Sequence, residues 1–313
     1  MKEKILQLLN ENNYISGEKL AKKLGVSRTA IWKQIQNLKK TGYKIKSIKN
    51  KGYKLIKRPD IPIETEVKQN LNTKIIGRKI YYFQELPSTN IFAKQKTLEK
   101  ATEGTLIIAD TQTEGRGRKN RSWSSPYGGL WFSVILYPNL PPERGMLITM
   151  AASVSVAQAI EETTNIKPVV KWPNDLLVNG KKICGILTEL DAEIDKINYV
   201  IVGIGINVNN EINNDLKNKA VSLKEITNSS ISRVNLLRAI LRHFDKNYLH
   251  INNPDYIRKQ WFAHSKIKGK KIMITEGEKK ITGVVQDVDE SGCLIINSDG
   301  IIKRIVSGDL SFL

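Results

Sequence analysis

The chain is poor in cysteine and in histidine. Cys184 and Cys293 are the only two cysteines among 313 residues, and an isolated pair specifies neither a disulfide framework nor a thiolate metal site. Both are read as small buried residues. His243, His250 and His264 are the only three histidines. They stand apart, with no Glu beside them at zinc-helix spacing, so no metal ligand set is expected. Long apolar runs are missing too. Leu130 to Leu136 and Tyr199 to Ile206 are the longest, far short of the roughly 20 residues that cross a bilayer. The first residues are charged where a secretory signal has an apolar core. A cytoplasmic protein without membrane contact is expected.

Acidic residues are the remaining deficit, with 31 Asp and Glu against 50 Lys and Arg. The excess is concentrated. Met1 to Arg58 holds sixteen Lys and Arg and three Glu, a net of +13, so only +6 of the formal +19 falls on the rest of the chain. A module with its own polyanionic partner is implied at the amino terminus. The length suggests two or three compact units.

Residues Lys2 to Asn10 carry Ile5, Leu6, Leu8 and Leu9 on a helical face, and Asn10-Glu11-Asn12-Asn13 breaks the run. Ser16 can cap a second helix, with Leu20, Ala21 and Leu24 inward and Gly25 ending it. Ser27 can cap a third, with Ala30, Ile31, Ile35 and Leu38 inward and Arg28, Thr29, Lys33, Gln34 and Asn37 outward. Two helices joined through Leu24-Gly25-Val26-Ser27 form a helix-turn-helix, and the alternating Tyr43–Ile48 and Tyr53–Ile56 form its wing. Ser27, Arg28, Thr29, Lys33, Gln34 and Asn37 are the candidate contacts to operator DNA; a three-helix protein-interaction module with a solvated basic face is the other reading. A single recognition helix reads too few bases for operator specificity, so a dimer on a palindromic site is expected. Two prolines in Lys57-Arg58-Pro59-Asp60-Ile61-Pro62 make a stiff linker, with the boundary near Pro59.

In the middle of the chain Gly115-Arg116-Gly117-Arg118-Lys119-Asn120-Arg121-Ser122-Trp123 reads as a flexible anion clamp. Glycines let backbone amides approach a ligand and adopt positive φ, and arginine forks match carboxylate and phosphate oxygens. Taken alone it is equally a solvated basic turn. Ser88-Thr89-Asn90 precedes a helix pattern at Ile91 to Glu99, so one of the three caps it and the others can face a pocket. Leu106 to Ala109 is a buried strand leading to Gln112. Lys171, ahead of Trp172-Pro173-Asn174-Asp175, ends another strand. It requires an anion there if buried, although a strand-end lysine ordinarily stays at the surface. Gly203-Ile204-Gly205-Ile206-Asn207 lacks the third glycine and the helix of a dinucleotide fingerprint; glycines inside a strand imply that a ligand or another backbone lies close. Helical patterns at Arg233 to Tyr248 and Asp255 to Phe262 are followed by short alternating strands from Lys270 to Val306, which fit a small β-barrel.

The ordered set Ser88-Thr89-Asn90, Gln112, Gly115 to Trp123, Lys171 to Asp175 and Gly203 to Asn207 resembles the biotin protein ligases. With the winged helix in front, essentially the whole chain resembles their bifunctional ligase/repressor members. The resemblance implies a multi-domain α+β protein: a winged helix-turn-helix DNA-binding domain over 1–58, a class II aminoacyl-tRNA synthetase-like α/β catalytic domain with a mixed sheet over 59–265, and a C-terminal small β-barrel over 266–313. It implies activation of biotin by ATP with Mg2+ to biotinoyl-5′-AMP, transfer to a lysine of biotin carboxyl carrier protein, and repression of biotin operon genes as a homodimer when biotinoyl-AMP is bound. Ser88, Thr89, Asn90, Gln112, Arg116, Gly117, Arg118 and Lys171 are implied for biotin, with Arg116, Arg118 and Lys171 toward its carboxylate and the phosphates, and Arg118, Arg121, Trp123 and Asn207 for ATP and the adenylate. Lys171, Arg116 and Arg118 are the implied catalytic cations. The barrel is either an aid to ATP and acceptor binding or a structural cap. A biotinoyl-AMP-sensing repressor without transfer activity, a lipoate ligase-like enzyme, and a ligase with a vestigial winged helix are the alternatives.

Overall fold

The computed structural model describes residues 1–9 and 13–313. They divide into two compact units, Met1–Ile61 and Pro62–Leu313.

In the first unit α1 (Lys2–Leu9), α2 (Gly17–Leu24) and α3 (Arg28–Lys40) precede an antiparallel pair, β1 (Lys44–Ile48) and β2 (Gly52–Lys57). Local chemistry sets these bounds. Ser16 Oγ accepts from the Lys19 amide and Ser27 Oγ from the Ala30 amide, each at 3.1 Å, so each satisfies one orphan donor of a first turn. Gly25 ends α2 in the left-handed region at φ 66°. Ile5, Leu6, Leu9, Leu20, Ile31, Ile35 and Leu38 are buried, whereas Leu8, Ala21, Leu24 and Ala30 are only half-buried. Of the expected break at Asn10 to Asn13, only Asn13 lies among the described residues. β2 opens on glycine because Ile15 pairs with Tyr53 directly above it; a Cβ on Gly52 would stand 2.1 Å from the Ile15 carbonyl oxygen.

The second unit is built on a seven-stranded sheet. Its elements are α4 (Glu64–Val67), β3 (Ile80–Leu86), α5 (Thr89–Leu98), β4 (Leu106–Gln112), β5 (Leu130–Leu136), α6 (Met146–Thr164), β6 (Val169–Lys171), β7 (Asp175–Val178), β8 (Lys181–Ala192), β9 (Ile197–Ile206), α7 (Leu223–Thr227), α8 (Arg233–Tyr248) and α9 (Pro254–Ser265). The sheet order is β3-β4-β5-β9-β8-β7-β6, with β3 and β4 parallel and the other neighbours antiparallel, a mixed sheet. α6 went without a sequence signal because it is buried nearly all round and so has no one-sided apolar stripe. Arg233, at the start of α8, donates to Asp110 on β4 at 2.9 Å, both side chains nearly inaccessible. The Tyr82 hydroxyl donates to the other oxygen of that carboxylate.

Five further strands, β10 (Lys271–Glu276), β11 (Lys279–Val288), β12 (Leu294–Ser298), β13 (Ile301–Ile305) and β14 (Asp309–Phe312), make an antiparallel sheet in the order β13-β12-β11-β10-β14. β14 is an addition to the four strands read from sequence. This sheet lies in the same compact unit as the larger one, because Ile272, Ile274, Val285, Val288, Leu294 and Leu310 share one apolar core with α6 and the large sheet. Trp172, buried, donates its indole hydrogen to the Gly292 carbonyl at 3.2 Å.

Candidate functional site

At the end of β4 the chain brings Gln112 to the start of α5. Its Oε1 accepts from the Thr89 amide at 2.8 Å and from the Thr89 hydroxyl at 3.1 Å, and its Nε2 donates to Ser125 Oγ at 2.8 Å. Ser88 holds the N-cap position of α5 but makes no capping bond. The expectation that one of Ser88, Thr89 and Asn90 caps this helix is therefore corrected: the side-chain acceptor at its first amide comes from Gln112. Ser133 Oγ lies 2.7 Å from Thr89 Oγ1 and 2.6 Å from Asn90 Oδ1, and Asn90 Nδ2 donates to Glu189 at 2.5 Å. Ser88, Thr89 and Asn90 are all buried, so this network holds its members in place.

The glycines of β8 and β9 shape the floor. Gly185 and Gly205 are cross-strand partners. A Cβ on Gly205 would sit 2.5 Å from Trp123 Nε1, and one on Gly185 would sit 3.0 Å from Trp123 Cζ3, so the indole lies on a strip where two side chains are missing. A Cβ on Gly203 would meet Asn90 Oδ1 at 2.2 Å. What lies against these glycines is thus a set of side chains, those of Trp123, Asn90 and Lys182, and not a second backbone. Trp123 Nε1 is buried without a hydrogen-bond partner.

The clamp from Gly115 to Trp123 is a closed hairpin. The Trp123 amide donates to Gly115 O at 2.8 Å and the Gly117 amide to Arg121 O at 2.7 Å. Its glycines were expected to supply positive φ and do not; Gly117 is extended at φ −117°, and the left-handed residues are Lys119 and Asn120 at 55° and 56°. Gly115 is needed because a Cβ there would stand 2.3 Å from Trp123 O. Arg118 donates to Asn174 Oδ1 at 3.2 Å. Arg121 and Lys119 reach Asp309 of β14 at 2.6 and 3.3 Å. Desolvation pushes that carboxyl up, but the hydrogen bonds from Arg121 and Lys119 prevail and hold it below its ordinary value. Asp309 was missed in the sequence because 188 residues separate it from Arg121.

Lys171 requires a correction. It ends β6, the edge strand of the sheet, opposite Asp175 of β7, and it does not line the cavity. The cavity floor is β8 and β9, and each strand outward adds roughly 4.8 Å. Lys182, one residue into β8, lines the cavity instead. Its Nζ lies 2.7 Å from Asp175 Oδ1 and 5.0 Å from the Trp123 ring. Strand order, invisible in a lone Lys-Trp-Pro-Asn-Asp, puts Lys182 and not Lys171 at the cavity.

Together these groups enclose a cavity of about 390 Å3, within the usual size range of small-molecule sites. Ser88, Thr89, Asn90, Gln112, Arg116, Gly117, Arg118, Arg121, Trp123 and Asn207 all line it, with Lys182, Asp175, Asn210 and Asp309 beside them. One end offers neutral hydrogen-bonding groups and the other five cations, Arg116, Arg118, Arg121, Lys182 and Lys219, with Asp175, Glu211 and Asp309 among the lining residues. Such a cavity can hold a molecule with an amide-like head and anionic groups meeting at the far end. Cys184 is buried beneath it and burial pushes its thiol well up, which unfits it as a nucleophile. Among the described residues no three His, Cys, Asp or Glu side chains cluster as a metal site, and no helix is long and apolar enough to cross a membrane.

In the first unit Ser27, Arg28, Thr29, Lys33 and Asn37 are exposed along α3, and Gln34 is half-buried at its flank. The Ser27 hydroxyl is engaged as the cap.

Residues 2–54 match an HTH domain, 81–207 the Biotin/lipoate A/B protein ligase family, and 269–313 the Biotin protein ligase C terminal domain. The bifunctional ligase/repressor BirA of Bacillus subtilis is 38% identical over 99% of this chain and 98% of its own. The chain belongs to the family of bifunctional biotin ligase/repressors. Its Escherichia coli member is 29% identical over 98% of this chain and 96% of its own. The solved biotin protein ligase of Aquifex aeolicus in complex with biotin and ATP superposes with a TM-score of 0.65 at 33% identity, covering 75% of this chain and all of that one. The bifunctional members thus share the amino-terminal module with this chain, and the three matched segments span both of its compact units.

Proposed function

We propose that the protein activates biotin with ATP to biotinoyl-5′-AMP, passes the biotinoyl group to one lysine of a biotin carboxyl carrier protein, and represses biotin operon genes with the same adenylate as corepressor. The two unlike ends of one cavity support this most directly. Thr89, Asn90 and Gln112, with Ser88 beside them, suit the ureido ring of biotin; Arg116, Arg118, Arg121 and Lys182 suit a carboxylate meeting a polyphosphate. Trp123 and Asn207 are assigned to the adenylate, and Gly117 to close backbone approach.

In the first step a biotin carboxylate oxygen bonds to the α-phosphorus and pyrophosphate leaves. Two anions must meet in line, so fixed cations that suppress their repulsion supply most of the acceleration, and magnesium is proposed to arrive with ATP. Lys182 takes the role first given to Lys171, standing beside Arg118 and Trp123 on the cavity wall. In the second step the acceptor lysine attacks the acyl carbon and AMP leaves. No protein nucleophile is needed.

A ligand that favours the dimer raises operator affinity by mass action without touching DNA, which is the proposed coupling between adenylate and repression. The test is incubation of the protein with MgATP, labelled biotin and a carrier domain. A labelled carrier is expected; an adenylate that forms and is never transferred would leave a sensor only.

A further inference from the structure

Among the large apolar side chains that the first unit leaves exposed, Met1, Trp32 and Ile56, one stands on the polar face of α3. Trp32, in the second turn of α3, is 52% exposed. The core side of the helix is Ile31, Ile35 and Leu38, all buried. Trp32 lies about 100° round the helix from Ile31, one turn after Arg28 and three residues after Thr29, and next to Lys33. It therefore sits inside the exposed polar face, among groups suited to bases and phosphates.

About half of the ring stays in water, so that half adds no burial to the fold and is open to a ligand. The surroundings choose the occupant. A module of net +13 with a capped helix and a basic face suits a polyanion, and the early turns of a recognition helix are those that reach base edges in the major groove. The one apolar feature of that groove is the C5-methyl of thymine. Building on the DNA-binding reading, we propose that Trp32 is a sequence-reading residue that packs its indole on thymine methyl groups, while Arg28 and Lys33 set the register on phosphates. The ring supplies specificity at A·T pairs that the basic side chains do not distinguish.

The experiment uses the full chain with biotin and MgATP. Duplexes are selected from a random library with the wild type, Trp32→Ala and Trp32→Phe. In the best wild-type duplex each thymine is then replaced singly by deoxyuridine, which removes only the methyl. One or two positions per half-site are expected to weaken wild-type binding about fourfold each, the effect of leaving one CH2-sized group in water. Trp32→Ala is expected to be indifferent to those swaps, to lose the thymine preference in its own selection, and to keep the wild-type salt slope, since no phosphate contact is removed. Trp32→Phe should retain part of the preference, which separates reading from folding. Equal deoxyuridine responses in wild type and Trp32→Ala, or a changed oligomeric state with unchanged base preference, overturn the assignment. A wild type that selects no duplex at all overturns the DNA-binding reading as well.

Discussion

Replacing Lys182 by alanine tests the site most sharply, because it sets one lysine against another. Two unit charges about 4 Å apart interact by about 4 kcal/mol at the effective dielectric of a protein surface. Lys182 is 31% exposed and already faces Asp175 at 2.7 Å, so the usable part is smaller. Removing one charge-stabilising group from an active site raises barriers by roughly 3 kcal/mol, a loss of about 100- to 1,000-fold in rate. That loss is expected for Lys182→Ala in biotin-dependent exchange of pyrophosphate into ATP. Lys171→Ala, at the sheet edge, is expected to stay within about threefold, too small a change to reflect a lost transition-state contact. Part of the Lys182→Ala defect arises because Asp175 is left unpaired beside incoming phosphates. Adding Asp175→Asn should therefore recover some activity, and this recovery measures the coupling of the pair. Normal exchange in Lys182→Ala, or an equal defect in Lys171→Ala, would refute the placement of the cation.

Two other outcomes follow from buried contacts. Asp110→Ala leaves Arg233 without its carboxylate in a nearly inaccessible position, a loss of about 3–5 kcal/mol; a thermal melt should fall by roughly 6–20 °C, and a shift under 3 °C would contradict the pairing. Gly205→Ala drives a methyl to 2.5 Å from Trp123 Nε1 and must lift the indole from its strip. The KM for ATP should rise about tenfold or more, the equivalent of one lost contact of about 1.4 kcal/mol, while the melting temperature stays within a few degrees. An unchanged KM would remove Trp123 from the adenylate site.

The short-range chemistry of the chain was legible from its letters. Ser16 and Ser27 accept from amides three residues on and the Gly25 amide donates to the carbonyl four residues back, so the caps of the first unit follow from local pattern. The ordered motifs likewise named most of the cavity wall. The long-range decisions were not legible. Gln112 caps a helix 23 residues before it, Asp309 meets Arg121 across 188 residues, and the choice of Lys182 over Lys171 depends on which strand is the sheet edge. The clamp's glycines were given the wrong duty for a related reason: a hairpin closed by its own amides moved the left-handed residues to Lys119 and Asn120, and left Gly115 a steric task only its partner strand reveals.

Counting hydrogens at Gln112 limits what the neutral end of the cavity can recognise. Because the Thr89 amide can only donate, the oxygen of the Gln112 side chain must face it, and the Thr89 hydroxyl takes up the same atom. Both lone pairs of that carbonyl are then occupied. One amide hydrogen goes to Ser125, which leaves a single free hydrogen on Nε2. The wall at Gln112 is therefore polarised in one sense: it can greet an oxygen of an incoming ring, whereas a ring N–H would find no vacancy there and must look to another residue.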